Sequence, residues 1–286
     1  MDRRNFLKTA GLASGTILSK NIPLKANETS KKAEFMGVLI DTTRCVGCRT
    51  CEQVCTEVNN LPEPDLDIDV LKIERKTTEK QFTLINGYET DHGEIYVKRQ
   101  CMHCNQPACA SACLTKAMFK TPEGPVIWKS NKCMGCRYCM VSCPFDIPKF
   151  EHHSPNPRIQ KCTMCWDRLQ ENALPACVEN CPAEALLFGK RHELLEIARA
   201  RIYDEPDRYI HHIYGEHEVG GTGILYLASV PFEKIGLRSD LGNESIPKLT
   251  TDFLYGVPII LTLWPAFLLA LSNSTKRENK NSDSED

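Results

Sequence analysis

The residues of this chain whose type and spacing could do chemistry are its sixteen cysteines, which all lie between Cys45 and Cys181. They fall into four groups of four, and each group begins with a C-x-x-C pair. Thiolates at this spacing can bind iron–sulfur clusters or zinc, and cysteines in an oxidising compartment can form disulfides. The groups are Cys45, Cys48, Cys51 and Cys55; Cys101, Cys104, Cys109 and Cys113; Cys133, Cys136, Cys139 and Cys143; and Cys162, Cys165, Cys177 and Cys181.

The first and third groups have the C-x2-C-x2-C-x3-C spacing of bacterial ferredoxins, and Pro144 follows the third group. In that pattern the first three thiolates bind one [4Fe–4S] cluster, and the fourth binds a neighbouring cluster. Four such groups would supply the ligands of four [4Fe–4S] clusters with no cysteine left over. The spacing therefore favours iron.

Zinc and disulfide bonds are the alternatives. The group that begins at Cys162 has eleven residues between Cys165 and Cys177, and by itself it would pass as a zinc site. A third cysteine close behind a C-x-x-C pair, as at Cys51 and Cys139, is awkward for zinc. Disulfides would suit an exported domain, although cysteines three residues apart pair poorly. Metal analysis separates these alternatives.

The elements that must position the cysteines repeat along the chain. Short apolar runs typical of strands lead into three groups, in "GVLIDTTRC", "EIYVKRQC" and "PVIWKSNKC". Similar runs follow two groups, in "CLTKAMF" and "CPAEALLF". These repeats predict a small strand–loop–helix unit around each cysteine loop. The cations that flank the loops either raise the potentials of anionic clusters or form a solvated face; they are Arg44, Arg49, Lys132, Arg137 and Lys161.

Composition places few other constraints on function. The formal net charge of −2 gives no support for a nucleic-acid partner, and the hydrophobic fraction of 42% is ordinary. The sequence contains no P-loop, no G-x-G-x-x-G run and no plausible nucleophile–base pair. Substrate chemistry is therefore expected in another subunit, and this chain is expected to have no catalytic residues.

The N-terminal residues 1–26 resemble a twin-arginine export signal. Arg3 and Arg4 precede "NFLK" and a short, mildly apolar run, while Asp2 stands where Ser or Thr is usual. The run is too short and too polar to span a bilayer. A disordered basic N-terminus is the alternative. Because the twin-arginine route carries folded proteins, clusters could be assembled before export.

Near the other end, Phe253–Leu271 is a run of nineteen residues without a charge. As a helix it would be about 28 Å long, close to the hydrocarbon thickness of a membrane. Pro258 and Pro265 would be costly in a water-soluble helix, whereas membrane helices tolerate proline better. The basic residues Lys276 and Arg277 place the tail, 272–286, in the cytoplasm by the positive-inside rule. We therefore expect a single-pass protein of the cell inner membrane with its cluster domain on the periplasmic side.

The four motifs in order resemble those of a known family. "CVGCRTCEQVC", "CMHCNQPACASAC", "CMGCRYCMVSCPFDIPKF" and "KCTMCWDRLQENALPACVENCPAEALLFG" are similar to the four-cluster ferredoxin-like subunits of membrane-bound oxidoreductases, such as the formate dehydrogenase beta subunit. With the export signal, the segment "HHIYGEHEVGGTGILYLASVPFEKIGL" and the C-terminal helix, the chain looks most like the iron–sulfur subunit of hydrogenase-2-type complexes.

This resemblance implies the ligands of each cluster, because the family pairs the first motif with the fourth and the second with the third. It also implies an α+β fold of tandem bacterial-ferredoxin-like repeats with pseudo-twofold pairing, followed by one transmembrane helix. The implied sets are Cys45, Cys48, Cys51 and Cys181 (cluster 1); Cys55, Cys162, Cys165 and Cys177 (cluster 2); Cys101, Cys104, Cys109 and Cys143 (cluster 3); and Cys113, Cys133, Cys136 and Cys139 (cluster 4).

The predicted organisation follows the motifs. After the signal come a four-cluster domain (35–190), a short helix with an extended docking segment (191–252), a transmembrane helix (253–271) and the tail. Residues 60–96 form an insertion between the first two motifs. His103 invites a ligand assignment, but packing or a subunit contact is favoured because its group already has four cysteines. Five other histidines are interpreted as surface or interface residues: His152, His153, His211, His212 and His217.

The predicted function is electron relay through four [4Fe–4S] clusters, between a periplasmic catalytic subunit and a quinone-reactive membrane subunit. By resemblance the catalytic partner is a nickel–iron hydrogenase, with a molybdopterin enzyme such as formate dehydrogenase as the alternative. A zinc-stapled structural or assembly protein and an enzyme acting alone are more distant alternatives.

Overall fold

The computed structural model describes residues 34–282, and the predicted export signal lies outside the described residues. The described part forms nine short strands and seven α-helices. The strands are β1 (Met36–Asp41), β2 (Leu84–Thr90), β3 (Gly93–Arg99), β4 (Met118–Lys120), β5 (Val126–Trp128), β6 (Lys149–Phe150), β7 (Ile159–Gln160), β8 (Leu186–Lys190) and β9 (Ile224–Leu227). The helices are α1 (Thr50–Asn59), α2 (Ala108–Ser111), α3 (Tyr138–Val141), α4 (Trp166–Gln170), α5 (Ala176–Glu179), α6 (Arg191–Asp204) and α7 (Ile246–Ser282).

A three-stranded sheet of order β8-β1-β9 joins the two ends of the cysteine-rich region. β1 pairs with β8 in antiparallel register, with Val38 opposite Phe188, and with β9 in parallel register, with Val38 opposite Ile224. β1 precedes the first cysteine group and β8 follows the last. The sheet therefore brings the first and fourth groups to the same side of the domain.

The two faces of this sheet bury different residues because side chains alternate along a strand. Leu39 packs against Leu194 and Ala198 of α6 in one apolar cluster. Val38 and Ile40 lie in the other cluster, which also contains cysteine side chains. One face thus holds the amphipathic helix predicted at 191–202, and the other faces the metal-binding side of the domain.

The second and third cysteine groups lie among two small antiparallel hairpins, β4–β5 and β6–β7. Their core is small, and its buried residues are Cys109, Met118, Val126, Cys139 and Ile159. A separate hairpin, β2–β3, forms from the predicted insertion and its continuation to Arg99.

A strand, a cysteine loop and a short helix occur at each of the four groups. The strands β1, β3, β5 and β7 each lead into a cysteine group, and short helices carry or follow the later cysteines. The strands β4, β6 and β8 then follow the second, third and fourth groups. The described chain is thus a mixed helix and strand domain built on a repeated unit.

The segment predicted as an extended docking region folds largely into the domain's own core. Ile224–Leu227 adds β9 to the central sheet. Tyr214, Tyr226 and Phe232 are buried, and the Tyr214 ring contacts the other two rings. The missed signal is the continuous apolar run "GILYLA", which is typical of a strand covered on both faces.

The C-terminal helix α7 contains the predicted membrane segment and begins seven residues before it, at Ile246. The most apolar stretch within Ile246–Asn273 has a mean hydropathy of 2.0, and none of that stretch is buried. Pro258 and Pro265 lie inside the helix. Among the described residues, one helix is therefore long and apolar enough to cross a membrane.

Glu52 connects the first cysteine loop to the β2–β3 hairpin through a fully buried carboxylate. Arg49 donates to it at 3.2 and 2.9 Å, and Arg75 donates at 2.9 Å from the far side. Gln81 and the backbone N–H of Ile85 complete the set at 2.8 and 2.6 Å. Arg49 itself has a left-handed backbone (φ 61°) at the start of α1. The network thereby fixes the loop that carries Cys48 and Cys51.

Replacing Glu52 with alanine would leave the buried Arg49 and the half-buried Arg75 without their shared anion. We expect Glu52→Ala to lower the free energy of unfolding by about 3–5 kcal/mol. Glu57, which is exposed on the same helix, is the matched control. Glu57→Ala should change the free energy of unfolding by less than about 0.5 kcal/mol. Denaturant unfolding of the detergent-solubilised protein measures both, and equal effects would contradict the assigned role.

Candidate iron–sulfur cluster sites

Three cavities are each lined by four cysteines drawn from two groups of the sequence. The empty space within them, part of which is open to solvent, is about 410, 420 and 350 Å³. In that order they are lined by Cys45, Cys48, Cys51 and Cys181; by Cys55, Cys162, Cys165 and Cys177; and by Cys113, Cys133, Cys136 and Cys139.

The four remaining cysteines are also near neighbours. Burial raises the pKa of Cys104, and the sulfurs of Cys101, Cys143 and Cys109 raise it further. In every set, three cysteines come from one group and the fourth from another. All sixteen lie within the described residues and are free thiols, so no disulfide competes for these sulfurs there.

The donor chemistry of each set fits a [4Fe–4S] cluster, which takes four cysteine thiolates. Backbone N–H groups also point at the sulfurs. Met164 donates to Cys162 Sγ at 3.3 Å, and Met118 donates to Cys113 Sγ at 3.3 Å. Donors of this kind lower the pKa of Cys113 despite its burial. Hydrogen bonds to sulfur also tune the potential of a bound cluster.

Tight left-handed turns create these loops, and Gly47 shows why glycine is needed. Its φ is +69°, and a Cβ at this position would lie 2.7 Å from the ring of Tyr96. The Tyr96 ring therefore packs directly against the first cysteine loop. The equivalent glycine of the third group, Gly135, has a φ of +73° and donates to Cys133 Sγ at 3.4 Å.

Burial disfavours the negatively charged thiolate, which is the form of cysteine that binds metal. It raises the pKa of Cys45 and of Cys139 to about 11, and that of Cys109 and of Cys162 to about 12. A buried thiolate becomes favourable only beside a positive charge, and iron supplies that charge when a cluster is bound. The sites are thus suited to hold metal rather than free thiolate.

Electrostatic contacts between sets show which sets are adjacent. Burial and then the Cys177 and Cys45 sulfurs raise the pKa of Cys51, against an opposing effect of Lys98. Cys101 likewise contributes to the raised pKa of Cys162. Cys139 contributes in the same way to the raised pKa of Cys109. The set of Cys51 is therefore near that of Cys162, the set of Cys162 is near that of Cys109, and the set of Cys109 is near that of Cys139.

Sequence reasoning identified some of the cations near the sulfurs and missed others. Lys161 is buried and donates to the carbonyls of Val126 and Cys162, whereas Lys132 and Arg137 are exposed. Two cations that lie on strands were missed, Lys98 and Lys120. Lysine within a strand normally faces water, so the sequence carries no signal that these two point inward.

His103 is buried, with 1% of its surface exposed, and its Nδ1 accepts a hydrogen bond from Val126 N at 2.9 Å. Burial lowers its pKa well below the usual value, so the ring is neutral. This geometry agrees with the packing role favoured by the sequence. The five other histidines singled out from the sequence are exposed: His152, His153, His211, His212 and His217.

Comparisons with known proteins agree with this site. Residues 93–191 match the family model of a 4Fe-4S dicluster domain. A protein of Nitratidesulfovibrio vulgaris is 46% identical, over 98% of this chain and 78% of its own length. The hydrogenase-2 operon protein HybA of Escherichia coli O157:H7 is 32% identical, over 98% and 97%. The nitrate-inducible formate dehydrogenase iron–sulfur subunit of Escherichia coli K12 is 35% identical, over 84% and 80%.

The fold and the cysteine sets define a [4Fe–4S] ferredoxin-like domain with one apolar C-terminal helix. The chain belongs to the family of iron–sulfur subunits that includes HybA and the formate dehydrogenase iron–sulfur subunits. The predicted resemblance, the [4Fe–4S] class of cofactor and the electron-transfer role are thereby confirmed.

Removal of iron should loosen one part of the domain much more than another. Two of the five buried residues in the β4–β5 region are cysteines, whereas the cluster of α6 with β1 and β9 contains none. We expect a chelator to accelerate amide hydrogen exchange in β4, β5 and α2 at least about tenfold, with less change in β1 and β9. Uniform acceleration across both regions, measured by mass spectrometry, would contradict this dependence.

Proposed function

We propose that this chain is the electron-relay subunit of a membrane-bound oxidoreductase and that it holds four [4Fe–4S] clusters. The convergence of sixteen cysteines into four sets of four, each drawn from two groups, carries the proposal. A zinc-stapled protein would not need sets that alternate between neighbouring loops in this way.

The proposed ligands are those implied by the family pairing. The first cluster takes Cys45, Cys48, Cys51 and Cys181; the second takes Cys55, Cys162, Cys165 and Cys177; the third takes Cys101, Cys104, Cys109 and Cys143; and the fourth takes Cys113, Cys133, Cys136 and Cys139. The lining of the three cavities and the neighbours of Cys104 support this assignment.

The adjacency of the sets supports a linear relay from the first cluster to the fourth. Cys48 of the first set and Cys136 of the fourth set are exposed, whereas no cysteine of the two middle sets is. Electrons could therefore enter and leave at the two ends while the middle clusters stay shielded from water. The iron clusters accept and release single electrons, and the chain's residues hold them in order.

The fourth cluster is the one we assign to the membrane side. Ser245, the residue before α7, donates to Gln106, which lies within the second cysteine group, the group that supplies Cys113 to the fourth set. Exposed apolar side chains surround the fourth set, among them Leu114 at 86% and Val141 at 81% exposure. Such a surface suits contact with another subunit. A quinone-reactive membrane subunit would dock there, and the catalytic subunit would dock near Cys48.

The partner best supported is a nickel–iron hydrogenase, because the likeness to the hydrogenase-2 operon protein HybA covers nearly the full length of both chains. A formate dehydrogenase is the second candidate, supported by the 35% identity to its iron–sulfur subunit. We further propose export to the periplasmic side, anchoring by 253–271 and a cytoplasmic tail, 272–286. The domain bounds 35–190 and 191–252 belong to the same proposal.

Purification of the native complex in mild detergent tests the proposed function. We expect about sixteen iron atoms per chain, four for each [4Fe–4S] cluster, and reduced-state EPR signals from interacting clusters. Mass spectrometry of the same sample should identify a hydrogenase large subunit. Stoichiometric zinc without iron would overturn the proposal. A co-purifying molybdopterin subunit would support the formate dehydrogenase alternative.

A single substitution tests the crossed ligand sets. Cys181→Ser should remove or convert the first cluster, whose other ligands are Cys45, Cys48 and Cys51, and leave the second cluster intact. The matched variant Cys177→Ser, four residues earlier, should damage the second cluster and leave the first. EPR spectra of the two variants show which cluster signal is lost in each. If Cys181→Ser instead damaged the cluster held by Cys162 and Cys165, the crossed assignment would be wrong.

A further inference from the structure

Lys98 is a buried cation that lines two cysteine cavities at once. Only 2% of its surface is exposed, and it lies on β3 opposite Ile85. The cavity of the first cluster and the cavity of the second both include Lys98 in their walls. The side chain therefore separates the two proposed clusters.

The direct partners of the Lys98 ammonium are neutral. Its Nζ donates to Thr83 Oγ1 at 2.6 Å and also to Gln100 Oε1. Within residues 34–282, no carboxylate forms an ion pair with it. A buried ammonium without a counter-charge is strongly unfavourable. The position thus requires negative charge from another source.

The sulfurs of both sets supply that negative charge. The first cavity places Lys98 beside Cys45, Cys48, Cys51 and Cys181. The second cavity places it beside Cys55, Cys162, Cys165 and Cys177. Bound to clusters, both sets would carry negative charge, so the ammonium would face an anionic site on each side.

The fold holds Lys98 in this place. The antiparallel pairing of β2 and β3 fixes its backbone, and Tyr226 Oη donates to its carbonyl oxygen at 2.7 Å. Tyr226 lies on β9, in the segment that closes the central sheet. Thr83 and Gln100 are themselves buried, so the ammonium cannot move out to water.

We propose that Lys98 is the fixed positive charge shared by the first and second clusters, and that it raises the reduction potentials of both. This inference rests on the proposed function, since it requires clusters in both sets. Reduction adds one electron, and hence one negative charge, to a cluster, and a nearby cation stabilises that reduced state. One residue would then keep two neighbouring clusters of the relay at similar potentials.

EPR-monitored redox titration of Lys98→Met tests the proposal, because methionine keeps the length of the side chain and removes its charge. In the first and second clusters we expect the equilibrium constant for reduction to fall at least tenfold, which is about 59 mV for one electron. The third and fourth clusters should change less than about threefold, and Lys98→Arg should stay close to wild type. Ligand variants at Cys181 and Cys143 assign the signals.

Lys120→Met is the matched control, because this half-buried lysine donates to the carbonyl of Cys104 at 3.0 Å in the third set. Lys120→Met should lower the reduction potential of the third cluster only. Unchanged potentials in Lys98→Met, or equal shifts in all four clusters, would overturn the proposal. If wild type itself lacked the clusters, the proposed function would fail instead, and iron analysis distinguishes the two results.

Loss of iron from Lys98→Met is also informative when Lys98→Gln and Lys98→Arg are compared with it. Loss of about half the iron in both neutral variants, with retention in Lys98→Arg, would show that the charge is needed to hold two clusters and would support the proposal. Loss of all the iron, or equal loss in Lys98→Arg, would indicate packing alone and would overturn it.

Discussion

The burial of cysteine sulfurs is the constraint on which the rest of this structure depends. Burial raises the pKa of most of these thiols, so the sulfurs become charged only where positive charge or hydrogen-bond donors meet them. Iron is the main source of that charge in a [4Fe–4S] protein. The protein adds backbone N–H donors in tight loops, as at Cys162 and Cys113, and it adds buried lysines.

The fold positions the buried sulfurs by pairing strands that are distant in the sequence. β1 lies between β8 and β9, so the start, the end and the C-terminal extension of the cysteine region share one sheet. The carboxylate of Glu52 then fixes the first cysteine loop to the β2–β3 hairpin. These connections are long in sequence, and they bring the first and second sets together. The β4–β5 region has a smaller core, part of which is cysteine.

Much of this organisation was predictable because its signals are local. A strand before each of the first three cysteine groups follows from the short apolar runs, and the helix at 191–202 follows from its apolar spacing. Other features were not predictable because they depend on contacts between distant residues. The run that becomes β9 gave no strand prediction, and neither Lys98 nor Glu52 has a sequence environment that indicates burial.

The sequence by itself determined the class of cofactor, the number of possible ligands and the apolar C-terminal helix, since cysteine spacing and continuous hydrophobicity are local properties. Only the tertiary structure decided which sulfurs line the same cavity, which sets are adjacent and which cation lies between them. The physical reason is that electrostatic and packing interactions act through space. Residues such as Lys98 and Cys177, far apart in the chain, line the same cavity because the hairpin and the sheet bring them together.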